Sequence, residues 1–270
     1  MCSYIPRDAT PSTSIKETPG LFDVPYDDFA ETYLPSFHKP LVTIEIGNAS
    51  FEVSKPLVCR HSPYFSAMFE GHFKESKENS ATLAEVEGVV SIRSFKLFLQ
   101  FVYTGRIRLG DEPPEDQISA LIEFARLADM LGVANTERQA ATHIESIIRK
   151  DLAHDHEIMR IYQQRKPDDT IRLISPSHIR DAACLPGGHA IRNVFARAAT
   201  ESFLLRPDKF KFAQETEEVP EFAVDLLRQV GPTVRSFSAS HAQVIFREPF
   251  LNRECALLTV PQQAVNRYAH

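Results

Sequence analysis

Tryptophan is absent from this sequence, and its place as a bulky aromatic falls to 19 phenylalanines and 7 tyrosines. Those rings supply enough apolar area for a packed core. Cysteine is scarce: Cys2, Cys59, Cys184 and Cys255 lie far apart and form no C-x-x-C pair. Four such residues cannot staple 270, which excludes a disulfide scaffold and fits free thiols in a reducing compartment. No apolar run approaches the roughly 18 residues that a membrane-spanning helix needs, so no membrane partner is expected. The opening Met1-Cys2-Ser3-Tyr4-Ile5-Pro6-Arg7-Asp8 lacks the charged-then-apolar order of a secretory signal. The expectation is an intracellular protein of the cytoplasm, the nucleus or both. Basic charge is also in deficit, 30 Lys and Arg against 36 Asp and Glu for a net −6 and a pI near 5.9. Sequence-independent nucleic-acid binding needs the opposite balance. The excess acid lies within residues 1–150; residues 151–270 carry equal numbers of each sign.

What is present describes a folded chain of one or two domains, with 43% hydrophobic and 24% charged residues. Residues 1–40 are proline-rich at first and then carry scattered aromatics, which reads as a flexible tail with a few docking rings. Order begins at Leu41. Leu41–Ile46 is rich in β-branched residues, Gly47-Asn48 offers a turn, and Phe51-Glu52-Val53 alternates again, predicting an antiparallel hairpin. Pro56 suits a helix start, and Ser62-Pro63 pairs a cap with a proline fit for the first helical position. Tyr64, Phe65, Met68 and Phe69 then form a helical stripe ending at Gly71. A strand is expected around Thr82–Val86, followed by helices ending at Gly105 and Gly132 and a further one to about Lys150, with Thr136 and Gln139 in a capping-box pattern.

Beyond Asp151, Ser177–Leu185, His189–Leu205 and Pro220–Val230 read as helices, with Glu215-Thr216-Glu217-Glu218 as a charged loop between the last two. From Gly231 onward polar residues, proline and serine dominate, apart from Val244-Ile245-Phe246 and Ala256–Val260, and residues 231–270 are expected to be a poorly ordered tail.

Four segments recur in order at suitable distances: Phe51-Glu52-Val53-Ser54-Lys55-Pro56-Leu57-Val58, Ser62-Pro63-Tyr64-Phe65, Met68-Phe69 and Phe101-Val102-Tyr103-Thr104-Gly105. Together they resemble a BTB/POZ domain over residues 41–150. The resemblance implies an α/β fold, a small β-sheet flanked by a cluster of α-helices, followed by a mainly helical region over 151–230. Each matched residue has a local reason as well: Phe51 and Val53 share one strand face, Phe65 and Phe69 form an i, i+4 pair, and Gly105 tolerates the left-handed end of a helix. Lys39-Pro40 stands where the family carries an aspartate that, in repressor members, shapes a co-repressor pocket, and Ser54 replaces the usual histidine. Leu185–Arg192 and Pro220–Leu227 further resemble BTB proteins common in filamentous fungi.

The resemblance implies a non-catalytic protein–protein interaction protein, self-associating as a homodimer or pairing with another BTB protein. Phe73-Lys74-Glu75, following His72, is similar to the hydrophobic-x-Glu motif by which cullin-binding BTB adaptors engage their scaffold. His72, Phe73 and Glu75 are therefore the expected partner-binding residues of a ubiquitin ligase adaptor, with an unknown client at 151–230. An exposed ring can fill a pocket while a neighbouring carboxylate restricts orientation. A transcription regulator acting through BTB contacts is the alternative, and a metal-assisted enzyme using His154, His156, His178 and His189 a remote one. No zinc-ligand spacing, phosphate-cradling glycine motif or G-x-S-x-G elbow is present, and no cofactor is expected.

Overall fold

A computed structural model of the chain describes residues 25–33, 40–159, 168–240 and 243–257. The expected hairpin is there. β1 (Leu41–Ile46) pairs antiparallel with β2 (Ala49–Ser54), Ile46 facing Ala49 across a two-residue turn in which Gly47 adopts φ +55°. That conformation is the one glycine supplies without steric cost. Val42, Ile44, Ile46, Phe51 and Val53 point into the core, as strand alternation requires. β3 (Ser80–Leu83) joins the other side of β1 in parallel, giving the order β2-β1-β3. It starts two residues before the expected strand, and Val86 instead bridges to Val90 in a tight turn.

Helices α2 (Lys55–His61) and α3 (Pro63–Glu70) connect the hairpin to a short α4 (Lys74–Glu78). α5 (Ile92–Thr104) is the central helix, with Phe95, Leu97, Phe98, Leu99, Phe101 and Val102 all buried. Its Phe95 lies 5.2 Å from Phe51, 5.4 Å from Phe98 and 6.4 Å from Phe65, and Phe65 stacks on Phe69 at 6.0 Å. Burial of one such ring contributes about 1.5–3 kcal/mol, so this phenylalanine cluster is the energetic centre of the domain. The start of α3 is tied to the end of α6 (Pro114–Leu131): Ser62 Oγ accepts from Phe65 N–H at 3.3 Å and donates to the Leu131 carbonyl at 2.7 Å. At the far end of α5, Tyr103 Oη accepts the Ser54 N–H at 2.7 Å, joining helix to hairpin.

α7 (Thr136–Met159) continues well past Lys150, and the predicted capping box is not formed: Thr136 Oγ1 donates to the Val133 carbonyl, while Gln139 Nε2 donates to the Gly105 carbonyl. α8 (Pro176–Ala183) and α9 (Ala190–Leu205) pack back on α6 and α7. The expected charged loop is in fact α10 (Ala213–Glu218), because Glu215 is buried and held by Arg180 at 2.6 Å. α11 (Pro220–Arg235) runs through Gly231 and Pro232, where the sequence suggested a stop; Thr233 Oγ1 donates to the Gln229 carbonyl there. α9 and α11 are clasped by a buried pair, Arg192 Nε to Asp225 Oδ2 at 2.6 Å.

Two expectations about the ends need correction. Within the predicted tail, α1 (Tyr26–Asp28) and a following wide turn through Tyr33 pack on α5. Tyr26 Oη donates to Glu112 at 2.7 Å, Phe29 is fully buried, and Lys96 grips Asp27 at 2.6 Å. The described part of the aromatic segment is thus helical and docked rather than a flexible tail. The segment 231–270 was expected to lack order, yet β4 (Ser238–Ser240), β5 (Gln243–Arg247) and β6 (Glu254–Ala256) form an antiparallel sheet. Strands of three to five residues are too short to carry much local signal. They are fixed by distant partners: the Phe250 ring lies beneath the Arg149 and Arg197 guanidiniums at 5.1 and 5.6 Å, and Arg253 pairs with Glu201. Glu248, fully buried, accepts the Phe250 and Leu251 N–H groups at 2.7 and 2.8 Å.

Candidate partner-binding surface

The candidate motif begins where α3 must end. Gly71 donates its N–H to the Ala67 carbonyl at 3.1 Å, and a side-chain carbon at position 71 would sit 2.3 Å from that same oxygen. Only glycine fits there, so the chain turns sharply away from the buried Phe69. His72 and Phe73 follow, both exposed. Phe73 is the residue preceding the first turn of α4, and one edge of its ring lies against the backbone of Gly71. Its side chain is 61% exposed, which makes it the one phenylalanine among the described residues that stands mostly in solvent.

Glu75 occupies the first turn of α4 and is half-buried, without a hydrogen bond or ion pair among the described residues. Its neighbours are engaged differently: Lys74 pairs with Glu78 at 3.5 Å, and Ser66 donates to Glu70 at 2.6 Å. Asn79, in the left-handed region at φ +50°, ends the helix and accepts from Lys55 Nζ at 3.2 Å. Phe73 thus stands at the cap of α4 and Glu75 in its first turn, two residues apart, while His72 lies on the connection before them.

The catalytic alternatives are less well supplied. Cys59 is buried on α2, donates to the Phe65 carbonyl at 3.5 Å, and burial pushes its thiol pKa up. His61 lies two residues on along the same helix, where side chains diverge. One pair not suggested by the sequence does resemble a nucleophile and base: Ser119 Oγ is 2.8 Å from His178 Nε2. However, His178 Nδ1 accepts the Ser175 N–H at 3.1 Å, so the proton of the neutral ring is on Nε2, which donates to Ser119. The ring cannot take the hydroxyl proton, and Ser119 donates instead to the Glu115 carbonyl at 3.1 Å. The pair joins α8 to α6. Burial lowers the pKa of His178 and of His189. The side chains of His154 and His156 lie outside the described residues, and among those described no three His, Cys, Asp or Glu side chains converge as metal ligands.

A family model described as the BTB/POZ domain matches residues 41–147. Residues 41–147 form a BTB/POZ domain. A curated relative, Kelch-like protein 26 of Danio rerio, is 28% identical over 107 residues, which is 40% of this chain and 17% of that protein. The chain therefore spans only a small part of this relative's length. Among solved structures, the BTB domain of zebrafish PATZ1 is 20% identical, covering 40% of this chain and 75% of that one with a TM-score of 0.28. The BTB/POZ match ends inside α7, so α8 to α11 and the second sheet lie beyond it. BTB/POZ domains are protein-interaction modules, and residues 41–147 carry one. Among the described residues no helix is long and apolar enough to cross a membrane.

Proposed function

We propose that this chain is a substrate adaptor for a cullin-type ubiquitin ligase, its BTB/POZ domain docking on the scaffold through Phe73 and Glu75, with His72 at the edge. Residues 151–230 recruit a client protein in this reading, and the domain also pairs with a second copy or another BTB protein. One observation carries it: a mostly exposed phenylalanine at the start of the short helix after α3, beside a half-buried, unpartnered carboxylate in that helix's first turn. An apolar anchor next to one oriented charge is the composition of an interface centre. The likeness of Phe73-Lys74-Glu75 to the scaffold motif of BTB adaptors supplies the partner's identity, and the likeness to fungal BTB proteins belongs to the same reading. Copurification tests it. The intact chain should retain cullin, and a Phe73→Ala, Glu75→Ala variant with an unchanged circular dichroism spectrum should not; equal retention by both proteins rejects the reading.

A further inference from the structure

Where the BTB/POZ domain meets the C-terminal helices, a cleft of about 300 Å³ opens between the α6–α7 connection and the Pro186–His189 loop. It is continuous in lining with a wider outer depression bordered by Asn135, Glu137, Arg138, Gly188 and Asn193. Two carboxylates face it. Asp129 is exposed near the end of α6, and its carboxylate has no hydrogen bond or ion pair among the described residues. Glu137 uses Oε1 to accept the Ala190 N–H at 2.5 Å at the start of α9, which leaves Oε2 uncommitted.

Between them is a donor on a largely buried residue. His189 is only 9% exposed and lines the cleft. Its Nδ1 accepts the Ile191 N–H at 3.2 Å, so the neutral ring carries its proton on Nε2. Nε2 has no partner among the described residues. The residue is largely buried but this atom is not one of the buried unpartnered polar atoms, so Nε2–H opens to the cleft and takes its acceptor from there. Glu137 and Asp129 are the carboxylates that act on this ring through space, and Arg192, turned away to Asp225, is the nearby cation.

The cleft therefore offers two anionic acceptors and one neutral donor within a space the size of a single long side chain and its backbone. We propose that it binds one basic side chain of a peptide, lysine or arginine, with the cation held by Asp129 and Glu137 and a backbone carbonyl of the same residue accepting from His189 Nε2–H. Arg138 at the outer border repels a second cation, so an isolated basic residue is selected over a basic run. This site does not depend on cullin docking, since it lies on other elements than α4.

Titration of ¹⁵N-labelled full-length protein with acetyl-Gly-Lys-Gly-amide, acetyl-Gly-Arg-Gly-amide and the norleucine counterpart reads the site by NMR. Free lysine and arginine serve as separate arms, to tell an amino-acid site from a peptide site. The expected result is saturable shifts of the Gly188, His189 and Ala190 amides with the basic peptides only, lost at least tenfold in affinity in Asp129→Asn, Glu137→Gln. Glutamine keeps an oxygen for the Ala190 N–H, and His189→Asn retains a cap while deleting the inward donor, so loss of binding with an intact spectrum separates recognition from misfolding. Equal shifts with the norleucine peptide, unchanged affinity in the carboxamide variant, or tighter binding of the free amino acids than of the peptides would each overturn the proposal.

Discussion

Replacing Arg192 with methionine isolates the most deeply buried ion pair among the described residues outside the BTB/POZ domain. The guanidinium is 7% exposed and Asp225 1%. Arg192 donates to Asp225 Oδ2 at 2.6 Å, to the Leu185 carbonyl at 2.8 Å and to the Glu221 carbonyl at 3.2 Å, so one side chain joins α9, α11 and the loop between α8 and α9. Removing one partner of a buried pair costs about 3–5 kcal/mol because the remaining charge stays desolvated. Arg228 still reaches Asp225 Oδ1 at 3.2 Å, which points to the lower end, about 3 kcal/mol. At roughly 2–4 °C per kcal/mol in a protein of this size, the melting midpoint should fall by about 6–12 °C. Far-UV circular dichroism is the assay, because the chain has no tryptophan to report by fluorescence. Arg192→Met, Asp225→Leu should regain most of the loss, since a well-packed apolar pair replaces the charges. A single-variant cost below about 1 kcal/mol, or a double variant less stable than the single one, would refute the reasoning.

Two further outcomes follow from packing and burial. Ser62→Ala removes both the α3 cap and the donor to the buried Leu131 carbonyl, so urea unfolding should show a loss of about 2–4 kcal/mol. His61, His143, His178 and His189 all have folded-state pKa values below the ordinary 6.5, chiefly through burial. The unfolded chain then binds more protons below pH 6.5, so their contribution is fully present above that value and is lost as pH falls toward the folded pKa values. Urea midpoints should drop between pH 7 and 5.5, and His178→Asn should flatten that slope; a midpoint that rises on acidification over this range contradicts the assignment.

The BTB/POZ half was legible because its signals are local. Gly47-Asn48 announced the hairpin, Ser62-Pro63 the start of α3, and Gly105 and Gly132 the ends of α5 and α6, both at φ near +69°. What escaped the sequence depends on partners far along the chain. Glu215 sits in a run of four polar residues that reads as a loop, yet Arg180, 35 residues earlier, makes it part of a helix. The last sheet is held by Phe250 beneath Arg149, 101 residues away. Phe73-Lys74-Glu75 was legible as a candidate motif, and the exposure of Phe73 follows from Gly71, whose tight approach to Ala67 directs the chain outward. The cleft was not, because Glu137 and Ala190 are 53 positions apart and no motif links them.

The central claim is that Phe73 anchors the scaffold, and titration calorimetry of the purified chain against purified cullin addresses it most directly. A phenylalanine buries roughly 200 Å² when fully covered. At 61% exposure about 120 Å² remains to be buried by a partner, about 3 kcal/mol at 25 cal/mol per Å². The account predicts a wild-type complex and a Kd about 100-fold weaker for Phe73→Ala, with an unchanged melting midpoint. A Phe73→Ala protein that binds within about twofold of wild type, or a wild-type chain that binds no cullin, would contradict it.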